Sequence, residues 1–180
     1  VEKVDIPDSV TEIGKRAFWN CQSLKTIDLP DQLQSIGDSA FVNCSTLTRV
    51  TLPEHATELG KEVFYSCDNL EDITFPSQIT EIPSEFLKSC DNLKKIDIPK
   101  HVTKIGAYSF AGCSSLQEIK IPDTVTEIGG EEGGTFSSCG SLTEIEIPEK
   151  VTVIPKHTFS ACRKLSKVVL PDGVEKIGDF

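Results

Sequence analysis

The cysteines and prolines of this chain recur at a fixed spacing, and that spacing constrains the fold more than any other feature of the sequence. The seven cysteines follow one another at steps of 23 residues, except for one step of 26. The prolines keep the same period from Pro7 to Pro171 and carry the same three extra residues between Pro122 and Pro148. Because two residue types share one period and one interruption, the chain is an internal repeat with one three-residue insertion, near residues 130–134.

Each unit reads L-x-x-I-x-[LI]-P-x-x-[VIL]-T-x-I-G-x-x-A-F-x-x-C-x-x. The segment around Ile27 alternates apolar and polar residues, which predicts a short strand that ends at the next proline. A second, shorter extended piece is expected at residues 125–128 and its equivalents. Phe and Cys lie three residues apart, which predicts one turn of α-helix or 3₁₀-helix with both side chains inside.

One such unit has a strand and nothing to pair it with, so the units must stack. Stacking in register predicts a solenoid with a single parallel sheet of about eight short strands and helical turns on its other side. Like residues then form buried ladders of leucines, strand aliphatics and phenylalanines. The expected ladders are Leu24, Leu47, Leu70, Leu93 and Leu116; Ile27, Val50, Ile73, Ile96 and Ile119; and Phe18, Phe41, Phe64, Phe110, Phe136 and Phe159.

The repeat resembles the BspA-like leucine-rich repeats, also called the TpLRR class, which couple L-x-x-I-x-[LI]-P to an A-F-x-x-C turn. The resemblance extends over residues 1–180 and implies one continuous leucine-rich repeat domain, β-dominated within the α/β repeat class. It implies seven to eight repeats of 23 residues in a curved array. The units at Val1 and Phe180 are truncated, so apolar edges and unpaired strands are expected there. Pro83 and Pro155, which replace the repeated glycine, and the insertion affect local curvature only.

The charge of the chain excludes some partners. Asp and Glu number 28 against 18 Lys and Arg, which gives a formal net charge of -10. A phosphate backbone or an anionic membrane surface would repel such a chain, so nucleic acid is not an expected partner. No apolar run approaches the roughly 20 residues that a membrane-spanning helix needs, so no membrane insertion is expected within this segment.

The cysteines invite two interpretations. Each cysteine occupies the same inward slot, where a free thiol acts as a small apolar side chain, and this predicts a ladder of buried free thiols. A disulfide or metal role is the alternative, but the number of cysteines is odd and there is no C-x-x-C pair. The members are Cys21, Cys44, Cys67, Cys90, Cys113, Cys139 and Cys162.

The histidines do not suggest catalysis. His55 and His101 occupy one slot two units apart, about 10 Å on the stacking geometry, which is too far to share a metal ion. His157 lies in the turn of another unit. All three are expected to be exposed, and none has a nucleophile at a spacing typical of a triad. We therefore expect neither an enzyme nor a bound cofactor or metal.

Carboxylates follow most of the repeated prolines and form a second candidate row. Its members are Asp8, Asp31, Glu54, Asp123, Glu149 and Asp172. Such a row could bind Ca²⁺ weakly, but Ser77 and Lys100 interrupt it and no calcium-loop motif is present. A solvated, charged rim is the better interpretation.

The outward positions of the strands are the candidate partner-binding face, because repeat proteins of this shape commonly contact partners there. The candidate residues are Arg49, Asp72, Lys95, Asp97, Glu118, Lys120, Glu144 and Glu146. This face has mixed charge and no aromatic anchor, so a merely solvated face is an equal alternative. Trp19, Tyr65 and Tyr108 lie on the turn side, where they either pack against adjacent turns or form a small contact patch.

The resemblance implies a non-catalytic protein-binding or adhesion module of an exported or cell-surface bacterial protein. Its partner would be a host, matrix or other cell-surface protein. The alternative is a passive spacer that displays other domains. The glycine-rich insertion is expected to be a tolerated surface loop, with a role in binding as the alternative.

Overall fold

The chain winds into a β-solenoid of about eight coils. The computed structural model describes residues 2–179, so the truncated edges predicted at positions 1 and 180 lie outside the described residues. We number the coils along the chain. Coils 1 to 8 comprise residues 2–23, 24–46, 47–69, 70–92, 93–115, 116–141, 142–164 and 165–179. The predicted stacking of 23-residue coils is confirmed.

The coils form two rows of parallel strands; every coil contributes to the flank row, and all but coils 5 and 6 contribute to the front row. The front row precedes the repeated proline and contains β1 (Lys3–Asp5), β3 (Thr26–Asp28), β5 (Arg49–Thr51), β7 (Asp72–Thr74), β11 (Glu144–Glu146) and β13 (Lys167–Val169). The flank row precedes the repeated glycine. It contains β2 (Glu12–Ile13), β4 (Ser35–Ile36), β6 (Glu58–Leu59), β8 (Glu81–Ile82), β9 (Lys104–Ile105), β10 (Glu127–Ile128), β12 (Val153–Ile154) and β14 (Lys176–Ile177).

The flank row is broken at two places, and two prolines account for both breaks. At most coils the repeated glycine donates its N–H to the coil before it, as Gly60 does to the Ile36 carbonyl at 2.8 Å. Pro83 and Pro155 stand in that position and have no N–H to donate. Pairing is lost between β6 and β8 and between β10 and β12.

The front row is also discontinuous, so the prediction of a single sheet is wrong. Strands β1, β3, β5 and β7 form one sheet, and β11 pairs with β13. Coils 5 and 6 lie between these sheets and share one isolated bridge, Asp97 to Lys120. Together the two rows form five separate sheets. No single residue of coils 5 and 6 explains the front-row break.

The predicted helical turns are also wrong: the part of the chain that the structure describes contains no helix, and the repeat is all-β. We call the segment from the repeated glycine to the cysteine the back segment. Its N–H groups donate alternately to the next coil and within their own coil. In coil 1, Phe18 donates to the Ala40 carbonyl of coil 2 at 2.8 Å, whereas Trp19 donates to Arg16 within its own coil. Residues four apart, such as Arg16 and Asn20, have positive φ. A helix needs consecutive N–H groups to bond within one segment, and this alternation prevents it.

The core consists of the predicted ladders. The leucine ladder is fully buried, and stacked phenylalanine rings run through the coils, with centroids of Phe18 and Phe41 5.1 Å apart and those of Phe41 and Phe64 5.3 Å apart. In coil 4 the aromatic residue is shifted by one position. Leu87 occupies the slot that holds phenylalanine in other coils, and the ring of Phe86 packs edge-on against that of Phe64, with centroids 5.4 Å apart. The interior therefore keeps its apolar volume while the shapes change.

The insertion is accommodated as a closed turn on the back of coil 6. Gly133 donates to the Gly129 carbonyl at 2.9 Å, and Tyr108 of coil 5 donates to Gly133 at 3.0 Å. Gly133 therefore continues the back-segment pattern, and the three extra residues are residues 130–132. At Gly134, φ is +67°, and a Cβ would lie 2.1 Å from the Tyr108 ring. A side chain at Gly134 would therefore require the Tyr108 ring to move.

Candidate functional site

The front strands present alternate side chains to solvent, as predicted. In β3, β5, β7 and β11 the central aliphatic residue is buried and both of its neighbours are exposed. The period-two geometry of a strand places these exposed neighbours on one surface, here called the front face. All eight predicted partner-binding residues lie on it.

The front face of coils 1 to 4 satisfies most of its own charges. Lys3 lies 2.9 Å from the Asp5 carboxylate and 3.8 Å from that of Asp28. The hydrogen bond and the charge of Asp5 raise the pKa of Lys3. Arg49 lies 3.3 Å from Asp72. Two of the predicted partner-binding residues, Arg49 and Asp72, therefore pair with each other on an intact sheet.

The front face of coils 5 to 8 contains a cavity of about 730 Å³. Buried Ile96, Ile119 and Ile145 line its floor, and charged side chains form its walls. The other six predicted residues all lie here. The charged residues that line the cavity are Lys95, Asp97, Glu118, Lys120, Asp123, Glu144, Glu146, Glu149 and Lys167.

The charges around the cavity do not balance. Six carboxylates face three lysines. Lys95 pairs with Asp97 at 3.4 Å and Lys167 pairs with Glu144 at 3.7 Å. Among the residues that the structure describes, Glu118 and Glu146 have no ion-pair partner. The cavity therefore carries negative charge that its own lysines leave uncompensated.

Comparison with known families places this geometry in context. A family model described as the BspA type leucine-rich repeat region matches residues 1–100 and 80–180, with six copies. The chain belongs to the BspA-type leucine-rich repeat family. The resemblance drawn from the repeat pattern is confirmed. BspA-type repeats and their solenoid fold are typically non-catalytic.

Solved BspA-type and related structures share the fold. The T. pallidum leucine-rich repeat protein TpLRR is 26% identical, with a TM-score of 0.69 over 98% of this chain and 73% of that chain. A leucine-rich repeat protein from Bacteroides ovatus is 25% identical, with a TM-score of 0.55 over 97% and 68%. A leucine rich cell surface protein from Faecalibacterium prausnitzii is 25% identical, with a TM-score of 0.51 over 97% and 74%. No curated protein matches the chain.

Each repeat cysteine from Cys44 to Cys162 donates a hydrogen bond to the preceding coil, which the sequence did not reveal. The Cys67 thiol donates to the Phe41 carbonyl of the preceding coil at 3.3 Å, and Cys90 donates to Phe64 in the same way. All seven cysteines are free thiols, as predicted, and the five from Cys44 to Cys139 are buried. Burial raises the pKa of the Cys44 thiol to about 12. These thiols stay protonated and serve as donors between coils rather than as nucleophiles.

The histidines and rim carboxylates of the repeats do not assemble a reactive site. His55 and His101 are exposed in different coils, whereas His157 is half-buried, contrary to expectation. Residues 2–179 contain no group of three His, Cys, Asp or Glu that could hold a metal ion. On the rim, the Glu54 carboxylate accepts hydrogen bonds from the Ser77 backbone and hydroxyl, each at 2.9 Å, and its pKa is lowered by them.

The turn-side aromatics fall into two groups. Trp19 is 53% exposed. The rings of Tyr65 and Tyr108 enclose the Lys88 ammonium at 5.1 and 5.2 Å, and Glu85 lies 2.8 Å from it. Burial lowers the pKa of Lys88, but the Glu85 hydrogen bond and charge outweigh it, and the pKa is raised. This cluster links coils 3 to 5 on the back and is internally satisfied.

No helix among the described residues has the length and apolar character that a bilayer crossing requires. The cavity itself was not predicted from the sequence. Part of the signal was present in the sequence, because the insertion lies in coil 6 and Pro155 in coil 7, two of the four coils that line the cavity.

Proposed function

We propose that this chain is a non-catalytic protein-binding module that contacts its partner through the front face around the coil 5 to 8 cavity. The observation that carries the proposal is the uneven front face. Coils 1 to 4 pair their charges over an intact sheet, whereas coils 5 to 8 combine a cavity of about 730 Å³ with uncompensated carboxylates. A volume of this size can hold several side chains of a partner.

We further propose that the module acts at the bacterial cell surface or after export, in adhesion to a host, matrix or cell-surface protein. The name of the F. prausnitzii relative, a cell surface protein, supports that location. Brief protease treatment of intact producing cells tests it. Loss of the protein without lysis is expected, and full protection of the protein would contradict a surface location.

Site-directed photocrosslinking tests the proposed face. A photoreactive amino acid at Glu118 lies in the cavity wall, and the same amino acid at Asp28 lies on the self-paired half of the front face. With purified extracellular-matrix proteins and intact host cells as probes, we expect protein adducts from position 118 and few from position 28. Equal yields from both positions would contradict the proposed site.

Charge reversal supplies a second measurement. The double variant Glu118→Lys and Glu146→Lys should abolish the adducts, whereas the matched reversal of Asp5 and Asp28 should leave them unchanged. If neither position yields adducts with any probe, the alternative function as a passive spacer is favoured, because a spacer needs no contact on this face.

A further inference from the structure

The eight coils are not joined equally, and one junction lacks both strand rows. Between coils 3 and 4 the flank row is broken, but β5 and β7 still pair on the front. Between coils 4 and 5 the front row is broken, but β8 and β9 still pair on the flank. Each of these junctions therefore keeps one strand row that resists bending.

The junction between coils 6 and 7 keeps neither row. No strand pairing or backbone hydrogen bond connects residues 116–129 with residues 142–155. Pro155 removes the flank donor, since the equivalent Gly178 in coil 8 donates to Ile154 at 2.7 Å. The inserted residues 130–132 lie in coil 6, shortly before Gly134, whose N–H donates to Lys156 of coil 7. The two coils that meet at the one junction without strand pairing therefore each carry a sequence departure.

The back segments still join these two coils. Gly134 donates to Lys156 at 2.9 Å, Phe136 to Thr158 at 3.1 Å, and Ser138 to Ser160 at 2.7 Å. The Cys162 thiol also donates to the Phe136 carbonyl, at 3.0 Å. The Phe136 and Phe159 rings stack at a centroid distance of 6.1 Å, compared with 5.1 Å for the first pair of the ladder. The junction is therefore attached along its back edge, and its ring spacing is the longest of the stacked phenylalanine pairs.

We propose that the boundary between coils 6 and 7 is a hinge whose axis is the back-segment ladder. Rotation about a line on the back opens or closes the opposite side of the coils. The front cavity lies on that side, with Lys120 on the coil 6 wall and Glu146 on the coil 7 wall. Two blocks, coils 1 to 6 and coils 7 to 8, move as units, and the width of the cavity changes with the angle between them.

Distance measurements between paired spin labels test the hinge. Ketone-reactive nitroxides on p-acetylphenylalanine leave the native thiols untouched. One pair, at Asp72 and Lys167, spans four coil steps and includes the proposed hinge. The control pair, at Lys3 and Lys95, occupies the same strand slot and also spans four steps, about 19 Å at about 4.8 Å a step, but excludes the hinge.

We expect a wider distance distribution for the Asp72 and Lys167 pair than for the control pair. Pro155→Gly combined with removal of residues 130–132 restores a standard coil and should narrow that distribution to the control width. Pro83→Gly acts at the junction between coils 3 and 4, which keeps its front strands and lies between Lys3 and Lys95, so it should leave the width of the control pair unchanged.

Equal widths for the two pairs in the unaltered protein would overturn the proposal, and this comparison needs no variant that could fail to fold. A wide distribution that survives restoration of the standard coil would overturn it as well, since the motion would then have another origin. No partner takes part in these measurements, so they succeed or fail independently of the binding function.

Discussion

The repeated glycine of the flank offers a direct test of how closely the coils approach. Gly60 does not have a positive φ, so its backbone conformation is available to any residue. A Cβ at Gly60 would nevertheless lie 2.5 Å from the backbone nitrogen of Asp38 and 2.7 Å from the carbonyl carbon of Gly37, both in the preceding coil. Backbone atoms of a stacked coil cannot move aside as a flexible side chain can. Gly60→Ala should therefore push two coils apart.

The expected loss of stability in Gly60→Ala follows from two opposing effects. Replacing glycine by alanine stabilises the folded state by about 0.4 to 1 kcal/mol through the unfolded chain, wherever the folded conformation tolerates it. Overpacking costs about 1 to 3 kcal/mol. Gly14→Ala is the matched control, because it occupies the same slot of coil 1 and its Cβ would have no neighbour within 4 Å. The difference between the two variants isolates the clash.

Thermal unfolding followed by far-ultraviolet circular dichroism measures this difference. For a chain of this size, 1 kcal/mol corresponds to about 2 to 4 °C in Tm, so Gly60→Ala should melt about 2 to 12 °C below Gly14→Ala. Gly140→Ala is a second control inside the array, where the nearest atom would be 4.0 Å away. If all three variants melt together within about 1 °C, the close approach of the coils, and the reasoning built on it, is refuted.

Three further predictions concern the thiol ladder. Cys67→Ala should destabilise the fold by about 1 to 3 kcal/mol, since it removes a buried donor and leaves a cavity. Cys67→Ser should lose less stability, because its hydroxyl can still donate a hydrogen bond. Chemical denaturation measures the free energy of unfolding of both variants. Unfolded thiols ionise near pH 8.5, whereas the pKa of Cys113 is raised to about 12 in the fold. Stability should therefore fall as pH rises from about 9 towards 12, by about 1.4 kcal/mol per pH unit for each fully buried thiol, and a flat pH profile would contradict this. Without reductant, all seven thiols should react after denaturation and the five buried ones should be protected before it; a denatured count below seven would reveal disulfides.

The helical turn was the main error of the sequence interpretation, and its cause is physical. Phe18 and Cys21 lie three residues apart, and one turn of helix or a chain of tight turns places both on the same side. The two alternatives differ in the acceptors of every second N–H group. In a helix these groups would donate within their own coil, whereas here they donate to the next coil. That choice depends on the neighbouring coil and leaves no mark in the spacing of apolar residues.

The prolines show what a closer sequence interpretation could have reached. The sequence marks Pro83 and Pro155 as departures from the repeated glycine, and a missing N–H in a strand row predicts a break in pairing. The front-row break beside Lys95 could not be predicted, because the strand residues of coils 5 and 6 follow the same pattern as those of the paired coils.

The sequence by itself determined the repeat, its period, the stacking of like residues and the family, because a 23-residue unit with only short strands cannot pair them or bury its apolar residues without neighbours. Only the tertiary structure decided how each coil is attached to the next. Those attachments depend on backbone hydrogen bonds between residues 22 to 25 positions apart, which form or fail according to the distance between whole coils. The loose boundary at Pro155 and the charged cavity in front of it are therefore properties of the assembled solenoid rather than of any one repeat.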